Sequence, residues 1–345
     1  MRIFLTLPNG GIDERQLNDT MTVVFSVQKP ITGTISQGFE SATFPPAGWK
    51  VINPNAGSVT WARTIAAKNS GTASVYMNLF NYDSPDDQDL LVSPSMVLQN
   101  VDSVYISFAH AHKPYSASPN FTDTLMLMAS LDCGNSFTEL LWKKGGQSLS
   151  STTGTSGDIN WVPNSGEWRT NTISVPVSKF RNAETVSFAW ITINKFGQNI
   201  YVDDINIKPY TLPQRDIDML QVVEPAARIC DNTVSPLLEI RNNGKETINS
   251  FQVNLRLNNG PLVQRTITGL TLTTGNIFTL SYDSAFTAFV DGVNNFTAYV
   301  SAPNGQSDQQ TANDTINQRV FLFTAVNAPW SESFENSFPP TNWDA

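Results

Sequence analysis

Gly38-Phe39-Glu40, Phe44-Pro45-Pro46 and Gly48-Trp49 form a phrase that the chain states twice, the second time as Ser333-Phe334-Glu335, Phe338-Pro339-Pro340 and Asn342-Trp343. Neighbouring landmarks repeat with it. Pro8-Asn9-Gly10 and Asn18-Asp19-Thr20 answer to Pro303-Asn304-Gly305 and Asn313-Asp314-Thr315, and each pair is separated by 294 or 295 residues. A constant offset across several landmarks is the signature of a tandem repeat. The unit is far too long for a solenoid, so the chain reads as one full multi-domain cassette with the edges of its neighbours.

Outward from the first copy, residues 36–209 alternate in period two. Val104, Ile106 and Phe108 alternate with Ser103, Tyr105 and Ser107; Leu125, Leu127, Ala129 and Leu131 share one face; Val186, Phe188 and Trp190 share another. Such runs, separated by Gly, Pro, Asn and Asp clusters, predict a β-sandwich. Gln147–Gly166, rich in Ser, Thr and Gly, predicts a long surface loop. Tyr210-Thr211-Leu212-Pro213 reads as a boundary. Beyond it, Asn242-Asn243-Gly244 and Asn258-Asn259-Gly260 are turn signals, and Val253, Leu255 and Leu257 alternate with Asn254 and Arg256. About 110 residues with that strand density predict an immunoglobulin-like sandwich.

The expected fold class is therefore all-β, a jelly-roll β-sandwich plus an immunoglobulin-like β-sandwich within a tandem cassette. The expected organisation is 1–30, closing strands of a preceding immunoglobulin-like domain; 31–210, the jelly roll; 214–325, the second sandwich; and 326–345, the start of a following repeat.

Composition narrows the partners. The net charge is −9 and the pI near 4.7, which disfavours nucleic acid and anionic membrane. No stretch is long and apolar enough to span a membrane. The opening residues Met1–Pro8 lack the apolar length and cleavage site of a signal peptide, so any export signal is expected outside this segment. Cys133 and Cys230 are the two cysteines, too few for a disulfide framework; two unpaired residues are the plainer reading, an interdomain bridge the alternative.

At this point the residues carry a resemblance. Gly38-Phe39-Glu40 with Phe44–Trp49, Asp89–Pro94, Ser130–Gly134, Trp168-Arg169 and Asn199–Ile205, in that order, resemble the choice-of-anchor J or cleaved-adhesin domain. That family is a MAM-like jelly roll of secreted Bacteroidetes proteins, including gingipain adhesin regions. Ser235-Pro236, Ile240–Gly244 and the Pro303–Thr315 phrases resemble the CARDB-like immunoglobulin module often found beside it. The resemblance implies a non-catalytic, extracellular or cell-surface module that binds a glycan or an extracellular protein and adjoins further repeats of the same chain. The alternative it leaves open is an accessory C-terminal module of a secreted hydrolase such as a metalloprotease.

Candidate site residues divide by chemistry. His110 and His112 lie two apart on one strand face; they could start a zinc site, but no third ligand is visible, and a packed, hydrogen-bonded pair is the plainer reading. No His-Glu-x-x-His, Gly-x-Ser-x-Gly or phosphate-binding loop occurs. Asp203 is expected on the apolar face of Tyr201, Ile205 and Ile207, where a carboxylate needs a cation or several donors. The resemblance implies a structural calcium ion there, with Glu40, Asp203 and Asp204 as ligands and Asp89 as the additional one; the alternative is that Asp203 meets Arg169 or backbone N–H groups. Among the tryptophans, Trp161 in the Ser/Thr/Gly-rich loop is the expected exposed sugar-stacking candidate.

Overall fold

The structure is a computed structural model that describes residues 2–4, 10–11, 20–22, 29–118, 120–324, 333 and 335. The chain divides into two units, Met1–Thr211 and Leu212–Ala345. Of the expected terminal fragments, Arg2–Phe4 pairs antiparallel with Thr20–Thr22. Apart from Ser333 and Glu335, the second copy of the repeated phrase lies outside the described residues.

In the first unit the period-two runs become the inner faces of two antiparallel sheets. One orders its strands Glu139–Gly145, Thr124–Ser130, Thr185–Ile193, Gln88–Val92 and Lys50–Ile52, with Met96–Val97 also pairing with Thr185–Ile193. The other orders Arg169–Pro176, Ser103–His112, Ile200–Tyr210, Ser74–Met77 and Ala62–Thr64, with Ile35–Gln37 also on Ile200–Tyr210. Val104, Ile106 and Phe108 from one sheet meet Leu125, Leu127, Val186, Phe188 and Trp190 from the other in a single core. The repeated phrase feeds that core directly. Phe39 packs edge-on against Trp49 at 5.8 Å, Trp49 against Trp190 at 5.9 Å, and Trp190 against Phe108 at 5.7 Å. Aromatic pairs at such distances add about 1 kcal/mol each beyond their burial, which accounts physically for Phe and Trp as the phrase's fixed points.

One strand breaks the alternation. Ile200 and Val202 face the core, and so do Ile205 and Ile207, so inward residues change from even to odd numbers. The switch is a β-bulge: pairing with Ser103–His112 slips between Asp203 and Asn206, and Asp204 adopts a left-handed φ of 50°. Tyr201 and Asp203 therefore do not share a face with Ile205 and Ile207. Tyr201 joins Ala67, Ala111 and Trp161 in a separate cluster on the sheet's outer side.

The second unit is a smaller sandwich. Three strands, Ile217–Glu224, Leu237–Asn242 and Ile277–Ser281, form one sheet. Arg228–Ile229, Thr315–Leu322, Gly292–Ser301, Ile248–Leu257 and Val263–Leu272 form the other, with only the first pair parallel. Phe251, Val253, Leu255, Phe296, Ala298 and Val320 fill the space between them with Leu238 and Ile240. No helix among the described residues is long and apolar enough to cross a membrane.

Candidate functional site

The bulge at Asp204 builds a polar corner in the first unit. Asp203 is fully buried, and its carboxylate accepts the N–H of Asn69 (2.8 Å), Ser70 (3.3 Å) and Asp204 (2.7 Å). Burial raises its pKa to about 6 against those three donors. Asp204 accepts from the Asn69 side-chain amide and the Ser70 hydroxyl, both at 2.6 Å. Glu40 accepts from the backbone and hydroxyl of Thr72 at 2.9 and 2.5 Å, and those bonds lower its pKa. Gly71 sits at φ 60°, a left-handed conformation that favours glycine, and a side chain on it would displace the Glu40 carboxylate.

Glu40, Asp203 and Asp204, far apart in sequence, thus converge on the 69–72 loop. A Cβ built on Gly38 would lie 3.7 Å from Asp204 Oδ1 and 3.8 Å from Glu40 Oε1. The wall of this cradle is two carboxylate oxygens and the Glu40 Cγ at 4.0 Å, and the three acids do not bring one oxygen each within 4.8 Å of one another; oxygen donors of this kind are the class that hard cations take.

Asp89 does not belong to this corner. It shares strand parity with Leu91 and points between the sheets, whereas Asp203 points outward, so one ion cannot bridge them. Asp89 is fully buried with neither carboxyl oxygen in hydrogen-bonding geometry, and burial pushes its pKa up, partly offset by Thr60 and Tyr82 beside it. Trp161 is also not where the loop composition predicts. It is 8% exposed, its ring edge-on to Tyr201 at 6.0 Å, so it offers no open sugar-stacking face. The loop lies over the outer face of the sheet, where Tyr76 stacks on Tyr201 at 5.5 Å.

The histidines form a packed pair. His110 Nε2 meets the Leu149 carbonyl at 2.9 Å and its Nδ1 meets the Asn171 amide at 2.7 Å, while His112 Nδ1 meets the Asn199 carbonyl at 3.1 Å. Burial lowers both to about 4, leaving them neutral at physiological pH. Both cysteines are free and exposed.

Two features escaped the sequence. One is a loop face in the first unit. Buried Asp123 accepts the N–H groups of Lys195 (2.7 Å), Gly197 (3.2 Å) and Gln198 (2.5 Å). The Gln198 side chain in turn donates to Ser156 Oγ (2.9 Å) and the Ile159 carbonyl (2.7 Å) and accepts from the Trp161 N–H (3.3 Å). Above this scaffold Ile159 is 70% exposed and Phe196 43% exposed, and Tyr115 rests on Phe121 at 5.0 Å. The other is an acidic cluster in the second unit, Asp216, Asp308 and Asp314, whose carboxyl oxygens lie within 4.8 Å of one another and could hold a metal ion. Neither set carries a local spacing signal: each draws on segments far apart in sequence.

No family model matches the chain, and no curated protein matches it. Among solved structures, the K1 cleaved adhesin domain of Lys-gingipain from Porphyromonas gingivalis W83 is similar over 51% of this chain and 98% of that one, at 23% identity and a TM-score of 0.38. The CARDB domain of a Pyrococcus furiosus protein, in complex with di-metal ions, is similar over 33% of this chain and 90% of its own, at 16% identity and a TM-score of 0.26. The carbohydrate-binding module TmCBM61, in complex with β-1,4-galactotriose, covers 50% of this chain and 95% of its own, at 15% identity and a TM-score of 0.31. Cleaved-adhesin and CARDB domains are thus among the structural neighbours, as the sequence motifs lead one to expect.

Proposed function

We propose that the chain is a non-catalytic binding module of an exported bacterial protein, acting outside the cell. It holds a glycan or extracellular protein on the loop face of Tyr115, Phe121, Ile159 and Phe196, next to further repeats of the same cassette. The observation that carries this reading is exposed apolar side chains on pinned loops. Ile159 and Phe196 face solvent while Asp123 holds the backbone on either side of Phe196 and Gln198 holds the Ile159 carbonyl. Groups presented on ordered backbone lose little entropy on binding. The residues suited to chemistry are engaged in structure instead: both histidines bond to backbone carbonyls of their own unit.

A structural calcium ion at Glu40, Asp203 and Asp204 completes the proposal. Its support is the all-oxygen donor set and the cradle beside Gly38. The ion would balance the charge of three converging carboxylates and tie the first strand, the 69–72 loop and the last strand together.

The test is a screen of the whole chain against arrayed glycans and extracellular matrix proteins, with parallel assays on casein and polysaccharides. Saturable binding without turnover is expected. Turnover abolished by a single acid-to-amide substitution would overturn the reading.

A further inference from the structure

We infer that a hard divalent cation of the calcium class binds in the second unit among Asp216, Asp308 and Asp314, joining the start of the Ile217–Glu224 strand to the loop before Thr315–Leu322. Nothing in the reading of the loop face requires this site; it stands on its own residues.

The geometry comes first. One oxygen from each carboxylate lies within 4.8 Å of the other two. A calcium ion holds its ligands at about 2.3–2.6 Å, so oxygens bound to it lie at most about 5 Å apart. Two of the three acids are already oriented by the protein. Asp216, fully buried, accepts from Asn313 Nδ2 at 2.9 Å and Asn243 Nδ2 at 2.8 Å. Asp308 accepts from the Ile217 and Gln310 N–H groups, both at 2.7 Å. Such outer bonds are what aim metal ligands at an ion.

The third acid points to the missing partner. Asp314 is 7% exposed, and its carboxylate takes no hydrogen bond; Oδ1 is wholly enclosed. The Asn313 side-chain oxygen beside it is enclosed and unpaired as well. A buried acceptor without a donor is costly, and a buried charge more so. Nearby cations are committed elsewhere: Arg241 to Asp218 at 2.5 Å, and Arg215 to Glu246 at 3.5 Å. Burial together with Asp308, Asp216 and Asp218 pushes Asp314 up to about 7, the direction expected of a buried carboxylate with no donor beside it. Three carboxylates and one amide oxygen, with no sulfur or imidazole, suit calcium or magnesium rather than zinc or copper.

The internal repeat supplies an independent observation. Pro303–Thr315 corresponds to Pro8–Thr20 at an offset of 295. Between the two copies residues 306, 307 and 309–312 all change, whereas Asp308, Asn313 and Asp314 recur as Asp13, Asn18 and Asp19. Surface loop residues have been free to vary, and the proposed ligands of this loop have not.

The test uses the whole chain stripped of metal, titrated with calcium and then magnesium by calorimetry and by backbone-amide NMR. Calcium should shift the amides of Ile217, Asn313 and Asp314. Asp314→Asn should weaken that event at least about tenfold while leaving binding at Glu40 intact; without metal it should melt higher than the metal-free wild type, because a repulsive charge is gone. Asp308→Asn serves if Asp314→Asn does not fold. Absence of those amide shifts at millimolar calcium and magnesium, or wild-type calcium binding there in both variants, overturns the inference and leaves a proton on Asp314 as what fills the gap. Loss of the Glu40 event alone would contradict the first-unit site and not this one.

Discussion

Two histidines two residues apart look like half of a metal site, and the decision between ligand and core lies in what each ring nitrogen meets. His110 and His112 meet carbonyl oxygens and an amide inside the sandwich, and burial depresses both to about 4. In the unfolded chain they titrate near 6.5. The unfolded state therefore binds more protons between those values. Each histidine contributes stability that is fully present above 6.5 and lost as the pH falls towards 4, at most about 3 kcal/mol apiece. Asp123, raised to about 6, acts in the opposite sense: its contribution is present below the unfolded carboxylate range and lost as pH rises through 6. Imidazole proton NMR should give midpoints near 4 for both histidines, and a midpoint near 6.5 would contradict the buried pair. Gly244 decides a second residue-scale question. A Cβ there would lie 2.7 Å from the Asp216 N and 2.8 Å from the Gln214 carbonyl, both backbone atoms that cannot swing aside. Gly244→Ala should cost on the order of 2 kcal/mol by overpacking, read as a lower denaturant midpoint for the second unit with an unchanged m-value.

Strand elements show what was legible in the chain and what was not. Alternation at Ser103–His112 and Thr185–Ile193 carries through to two-faced strands because both are regular from end to end. In Ile200–Tyr210 the same alternation misplaces Asp203, because one left-handed residue, Asp204, shifts the inward face from even to odd positions. Aspartate tolerates that conformation better than most residues, but an aspartate in a strand does not announce it. Trp161 departs from its expected exposure for another reason. A Ser/Thr/Gly-rich loop ordinarily lies at the surface, but here the outer aromatic face of Tyr76 and Tyr201 and the hydrogen bonds of Gln198 and the Tyr201 hydroxyl draw it down. The acids at 216, 308 and 314 were invisible as a group, since nothing in their spacing joins segments about ninety residues apart. The bulge is testable: deleting Asp204 removes the extra residue and leaves Ile200, Val202, Ile205 and Ile207 in strict alternation, all facing the core. Cooperative unfolding of the first unit is expected to survive the deletion. In a strand without a bulge the deletion would turn Ile205 and Ile207 outward, so loss of the cooperative transition would refute the bulge.

For the whole molecule, two separate hydrophobic cores predict two calorimetric unfolding transitions. Calcium should raise both, each through its own site. At about a hundredfold excess over the dissociation constant the linked stabilisation is about 2.7 kcal/mol, which corresponds to a shift on the order of 5 °C or more. Glu40→Gln or Asp204→Asn should cancel the shift of the first unit, and Asp314→Asn that of the second. Equal shifts in all variants would place the ions elsewhere. The central claim concerns the loop face, and the measurement that tests it most directly is the affinity of the whole chain for a ligand recovered from the glycan and matrix-protein screen, compared with Phe196→Ala and Ile159→Ala. The account predicts at least about a tenfold loss of affinity in each variant, with melting temperatures unchanged. Variants that bind as tightly as the wild type would contradict it.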